Sequence, residues 1–200
     1  MKVIIQAVPE RLANVKVIQS KVPDAKVYID HTHEGNLISF KKSLALHEDD
    51  YVLRLQDDVM LPLGFSDYLP VIEAQMKAND IHVLNLFCLK RKSITEQFDR
   101  GLQYAEYMNF LGLVATVFSP YASKKLIEYA EIDTHKKHDD VFVRNFIHVN
   151  KLKSYVHLPN IVQHSLNMVS SVGHPQSKSR QSPYFDKNYI VEFFNAIQND

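Results

Sequence analysis

The stretch Asp50–Val59, DYVLRLQDDV, decides how the rest of the chain is read. Tyr51, Val52, Leu53, Leu55 and Val59 are apolar, and three of them are aromatic or β-branched. That pattern predicts a buried or half-buried strand. The strand runs into two adjacent carboxylates, Asp57 and Asp58. In open α/β sheets ligands bind outside the carboxyl ends of the strands, so these acids are delivered to the functional edge. Two like charges side by side are costly unless a cation accompanies them. Oxygen donors of this kind suit a hard divalent ion, magnesium or manganese. The plain alternative is a pair of surface acids capping the next turn.

Working outward, Lys2–Val8 (KVIIQAV) reads as a first parallel strand. Pro9–Gln19 reads as a helix with Leu12, Val15 and Ile18 at helical spacing and proline in its first turn. Ala25–Ile29 reads as a second strand ending at Asp30. The loop His31–Asn36 and a helix Leu37–Leu46 follow. The order β-α-β-α-β predicts an α/β fold with a mostly parallel, Rossmann-like central sheet flanked by helices. After the acid pair, Leu61–Gly64 breaks the strand. Phe65–Lys77 reads as a helix with Pro70 near its start or kinking it. Ile81–Leu89 reads as a central strand, Lys90–Gly101 as a loop or short exposed helix, and Asn109–Ser119 as another strand. Helices are expected at Pro120–Ala130, Asp139–His148 and Tyr189–Ile197. A strand is expected within Ser154–Val162, closed by Gln163 and His164. Asn167–Pro183 reads as a mobile loop.

At 200 residues with no internal repeat or linker, a single compact domain is expected. Net charge is zero, so bulk charge steers no partner. The charge is uneven, however. Between Val141 and Ile190 six basic residues face one acid, Asp186, an excess that can meet phosphates or an anionic acceptor. The single cysteine, Cys88, excludes an intrachain disulfide and reads as a small core residue. No apolar run approaches the ~20 residues of a membrane span. No signal peptide is read at Met1–Val8, so a cytoplasmic location is expected.

Three segments together resemble GT-A-fold glycosyltransferases, which use nucleotide sugars. LRLQDDV is similar to their Asp-x-Asp element, with Gln56 in place of the first acid. HDDVFVRNF is similar to the acidic helix start that carries the base of inverting members. LPNIVQHSLNMVSSVGHP is similar to the late strand and loop that bring a histidine to the metal. The resemblance spans roughly residues 1 to 175. It implies Asp58 and His164 as ligands of Mn2+ or Mg2+, with Gln56 and Asp57 facing the ribose or the metal's water shell. It implies Asp140, or else its neighbour Asp139, as the general base for an acceptor hydroxyl. It places Val8 and Arg11 of the first loop and Asp30 at the nucleoside diphosphate sugar, expected to be a UDP-sugar. Lys41 or Lys42 approaches the nucleotide. Ser171 and Gly173 fold over the diphosphate, with Lys178 or Arg180 adding charge.

Each of these has a plainer reading: Arg11 and Lys41 as solvated helix residues, Asp30 as a turn acid, Asp139 as a helix cap. The string His31, His33, Glu34 lacks further ligands nearby and is not taken as a metal site. The resemblance implies a monomeric or homodimeric transferase whose acceptor is a glycan, a protein or a modified nucleic-acid base. Two other classes stand beside it. A nucleotidyltransferase is disfavoured by the absence of glycine in QAVPERL. A non-catalytic module that binds a nucleotide sugar or glycan is not excluded by any motif.

Overall fold

The computed structural model describes residues 1–47, 49–108, 112–133, 138–165 and 180–198. In chain order the elements are β1 (Lys2–Ala7), α1 (Leu12–Gln19), β2 (Lys26–Ile29), α2 (Asn36–Ser43), β3 (Val52–Gln56), β4 (Val59–Met60), α3 (Phe65–Ala78) and β5 (Val83–Asn85). They continue with α4 (Lys92–Asp99), β6 (Tyr104–Glu106), β7 (Ala115–Phe118), α5 (Pro120–Ile132), α6 (Asp139–Val149), β8 (Ser154–His157), β9 (Gln163–His164) and α7 (Tyr189–Gln198). They form a single α/β domain with a mixed central sheet between two layers of helices.

The seven-stranded sheet has the order β2-β1-β3-β7-β5-β8-β6. Strands β1, β2 and β3 are parallel. β7 is antiparallel to both its neighbours, β3 and β5. β5 and β8 are parallel, and β6 closes the far edge antiparallel to β8. The expectation of a mostly parallel sheet therefore holds for strand direction, since only β6 and β7 run the other way. It fails for pairing, because β7 sits at the centre of the sheet.

Side-chain alternation explains the two layers. Val3, Ile5, Leu53, Leu55, Leu84 and Val117 point to one face, where they pack with Val15 and Ile18 of α1 and Tyr68, Ile72 and Met76 of α3. Val83, Phe118 and Val156 belong to the other, with Phe40 of α2, Leu126 of α5 and Phe142 and Phe146 of α6. Both faces are covered, so the strands read as near-continuous apolar runs.

The expected strand Asp50–Val59 is two pieces. β3 ends at Gln56, Asp57 and Asp58 form a turn, and β4 leaves the main sheet to pair with β9, Val59 opposite His164. That pairing carries a residue from far along the chain to the end of the central strand. The strand expected over Ile81–Leu89 is only β5, because beyond it the chain bonds to side chains: the Phe87 amide donates to Asn85 (3.3 Å) and the Cys88 amide to Asn160 (2.8 Å). Cys88 is buried, as expected of a core residue. Lys90–Gly101 contains α4, and β6 was not anticipated at all. Pro70 lies inside α3. Gly64 caps that helix with a φ of 69°, a conformation that strains other residues, and a Cβ added there would lie 3.2 Å from Ile190 Cγ2, which would have to shift slightly.

Candidate functional site

The acid pair lies where the parallel strands β1 and β3 end, and the chain meets it with donors rather than solvent. Asp57 and Asp58 are both 5% exposed. The Val8 amide donates to Asp57 Oδ2 (2.9 Å), and Arg11 Nη1 donates to Asp57 Oδ1 (2.6 Å). Asn14 donates to the Asp57 carbonyl. Arg11 Nη1 also reaches Asp58 Oδ2 at 3.3 Å. Pro9–Arg11 forms a 3-10 turn that points the buried Arg11 back at the strand end. The cation demanded by the paired charges is thus, in the first place, Arg11.

Arg11 and the Val8 amide clamp Asp57, and all three residues line the cleft at this strand end. Asp57 has both carboxylate oxygens engaged and so ties β1 to β3. Burial raises its pKa, and Arg11 and the Val8 amide only partly offset that.

Asp58 differs. Its Oδ2 lies 3.1 Å from His164 Nε2, while its Oδ1 is buried without a hydrogen-bond partner. His164 Nδ1 lies 2.9 Å from the Ser165 carbonyl, which can only accept, and Nε2 lies 2.7 Å from Arg180 Nη2, which can only donate, so the proton is on Nδ1 and Nε2 presents its lone pair. A backbone acceptor that fixes the tautomer in this way is common for metal-bound histidine. An orphaned carboxylate oxygen beside an imidazole lone pair, now taken up by Arg180, fits a divalent ion held by few protein ligands once that guanidinium moves aside. Among the described residues no group of three or more His, Cys, Asp or Glu side chains is arranged to hold a metal. A two-ligand set leaves coordination positions for phosphate oxygens and water, as magnesium-type sites require. Burial works to raise the Asp58 carboxyl, but the Arg11 and Arg180 guanidiniums oppose it, and the carboxyl lies below its ordinary value.

The second acid pair opens α6, where the helix dipole favours anions. Gln56 Nε2 lies 3.5 Å from Asp139 Oδ2 and so links this pair to the end of β3. Asp140 Oδ2 accepts from the Gly112 amide (3.3 Å) and its Oδ1 from the Val141 amide (2.7 Å). Asp139 is buried, and Asp140 is half-buried. Burial, then the neighbouring Asp140, raises the Asp139 carboxyl to about 6, and Arg54 works against that shift.

The Asp139 shift predicts a pH-dependent stability. Between its ordinary value of 3.8 and about 6, the native protein keeps a proton that the unfolded chain loses. Stability therefore falls as pH rises through that window, by about 3 kcal/mol at roughly 1.4 kcal/mol per pH unit, and the penalty persists above it. Asp139→Asn is expected to stabilise the protein at pH 7.5 by about that amount and to be neutral below pH 4. Urea unfolding at the two pH values measures this, and destabilisation at pH 7.5 would show the carboxylate form to be needed.

Asp30 ends β2 at the same edge. It accepts from Ser39 Oγ (2.5 Å) and from the amides of Thr32 and Glu34 (3.3 Å each). Burial raises its pKa, but these donors outweigh it and hold it low. Asp30, Ser39, Gln6, Gln56, Asp58 and Arg180 line one cleft. Lys41 is not brought there. Its Nζ bonds the Asp133 carbonyl (2.9 Å) and carboxylate (3.2 Å) and lies over the Phe142 ring. The expected approach to the nucleotide is corrected accordingly, since α2 turns this side chain toward α5 and α6. Lys42 pairs with Glu34 instead. Ser171, Gly173 and Lys178 lie outside the described residues. His33 pairs with Glu10 at 3.1 Å on the surface.

Sequence reasoning passed over Arg54. It is buried at 3% exposure in the middle of the sheet. It donates to Gln6 (2.8 Å), Ser43 (2.6 Å) and His47 (3.3 Å) and stacks 4.0 Å from the Phe40 ring. Burial brings its pKa down to about 9, and burial then Arg54 push His47 down to about 3. The available signal was the polar residue within each apolar run, Gln6 in β1 and Arg54 and Gln56 in β3, which alternation and pairing put on one face.

No protein-family model matches the chain, and no curated protein matches it. Among solved structures, the crystal structure of A197 from STIV is similar, with a TM-score of 0.49 and 14% identity over 86% of this chain and 87% of that one. No helix among the described residues is long and apolar enough to cross a membrane.

Proposed function

We propose that the protein is a metal-dependent glycosyltransferase that moves a sugar from a nucleoside diphosphate sugar, taken here as a UDP-sugar, to a hydroxyl acceptor with inversion. The observation that carries this reading is the meeting of Asp58 and His164, 3.1 Å apart, at the end of β3, with a second acid pair attached to the same strand end through Gln56. A divalent cation, Mn2+ or Mg2+, would be held by Asp58 and His164 and would supply charge stabilisation for the departing diphosphate. The pairing of β4 with β9 holds these two ligands in register. Asp30 and Gln6 stand in the cleft beside them as hydrogen-bonding partners for the nucleoside.

Asp140 takes the proton of the acceptor hydroxyl as its oxygen bonds to the anomeric carbon and the bond from that carbon to the diphosphate breaks. Asp140 suits this role better than Asp139, because it is half-buried and its backbone partners aim it from the helix start. Asp139 is buried, which leaves it less of its carboxylate to present to substrate. The fold reading that accompanies this function is GT-A.

A thermal-shift screen with UDP-, GDP-, CMP- and dTDP-sugars, each with and without manganese, tests the proposal. Stabilisation by one nucleotide class that requires the metal is expected, about 2.7 kcal/mol at a hundredfold excess over Kd. No shift with any donor, together with no transfer to a panel of acceptors, would reject it. A metal-dependent shift without transfer or donor hydrolysis would instead favour a non-catalytic binding module.

A further inference from the structure

Arg180 is held at the metal corner by a neighbour in sequence. Ser182 donates its amide to Gln163 Oε1 (2.8 Å) and accepts from Gln163 Nε2 at its carbonyl (3.1 Å), which pins this stretch to β9. Its hydroxyl also reaches Asn160 (2.6 Å). Two residues before that anchor, Arg180 Nη2 donates to His164 Nε2 at 2.7 Å. His164 Nε2 in turn lies 3.1 Å from Asp58 Oδ2. With the Nδ1 proton committed to Ser165, Nε2 and Asp58 are both acceptors, and two acceptors this close require a cation beside them. The Arg180 guanidinium supplies it, from a half-buried position in the cleft.

We infer that Arg180 is a tethered cation that stands in for the divalent metal when no donor is bound, and that it couples metal binding to diphosphate binding. This rests on the glycosyltransferase reading, whose two metal ligands are the groups Arg180 touches. A metal entering alone must displace the guanidinium from His164 and then sit beside two arginines, Arg11 and Arg180. A metal entering with a nucleoside diphosphate brings phosphate oxygens that accept from the displaced guanidinium. Arginine forks suit phosphate, so the displaced side chain gains a partner instead of losing one. Metal and nucleotide are therefore expected to bind cooperatively, and Arg180 is the positioning residue that makes them do so.

Mn2+ titrations of the full chain, read by electron paramagnetic resonance of free Mn2+ with and without UDP, test the inference. Wild type is expected to bind Mn2+ weakly alone and far more tightly with UDP. Arg180→Ala is expected to bind Mn2+ alone on the order of tenfold more tightly, within the 5–150-fold range of ordinary site coupling, and to lose most of the enhancement by UDP. Arg180→Lys keeps a tethered charge and should retain weak binding of the metal alone. Unchanged or weaker Mn2+ binding by Arg180→Ala in the absence of UDP overturns the role of Arg180. The glycosyltransferase reading survives that result if wild type still binds Mn2+ with UDP and Asp58→Asn does not. Failure of wild type to bind Mn2+ even with UDP overturns both.

Discussion

Replacement of Asp140 by Asn is expected to lower sugar transfer by about 100- to 10,000-fold, the span contributed by a positioned general base, while Mn2+-dependent UDP binding persists. The asymmetry follows from where the side chain stands. Asp140 sits on α6 and faces Gly112, whereas the Asp58–His164 corner is built where β3, β4 and β9 meet. The amide is nearly isosteric with the carboxylate but has one acceptor instead of two. It therefore keeps only one of the bonds from Gly112 and Val141, at about 1 kcal/mol of stability. That loss is too small to unfold a domain with two covered sheet faces. Single-turnover transfer and UDP titration on the same preparation separate the two effects. Unchanged turnover would remove Asp140 from the mechanism. A fall in transfer matched by an equal fall in UDP affinity would mean that the side chain binds the donor.

Replacement of Arg11 by Met is expected to destabilise the protein by about 3–5 kcal/mol at pH 7, the cost of stranding buried charges without their partner. For a chain of this length that lowers Tm by roughly 6–20 °C. Arg11 makes the 2.6 Å contact to Asp57 and the 3.3 Å contact to Asp58, and all three side chains are less than a tenth exposed. Methionine fills similar space, so the loss is electrostatic and not a cavity. The effect has a pH signature. In Arg11→Met the native carboxyls lose the cation that favours their ionised form, so both folded values move up: Asp57, already raised, moves further from its unfolded value, and Asp58 gives up part of its depression. The variant then loses stability as pH rises through the acid range, and the difference from wild type shrinks below pH 4. Adding Asp57→Asn to Arg11→Met should recover a substantial part of the loss. A destabilisation under about 1 kcal/mol would mean that water reaches the acid pair and that it behaves as a surface cluster.

The comparison of Asp57 with Asp58 shows how far local reading reaches. The residues DYVLRLQDDV place two carboxylates at the end of a central strand, and that survives in the structure. Which of the two is consumed by the scaffold does not follow from them. It follows from Arg11 and Val8, which belong to the turn after β1 and meet Asp57 only because β1 and β3 pair in parallel with Gln6 opposite Gln56. The same applies to Lys41 and Lys42. Helical spacing puts them on an exposed face, but only the packing of α2 on α6 sends Lys41 to Asp133 and Phe142.

Local pattern by itself determined the α/β class, the approximate elements from β1 through β3 and the start of α6 at its acid pair. It could do so because strand and helix periodicities are properties of neighbours along the chain. The tertiary structure alone decided that β7 runs antiparallel in the middle of the sheet and that Arg54 is buried in it. It alone also brought His164 within 3.1 Å of Asp58 through a two-residue strand. Those outcomes depend on contacts between residues distant along the chain, Asp58 with His164 above all, and such contacts leave no local period in the sequence.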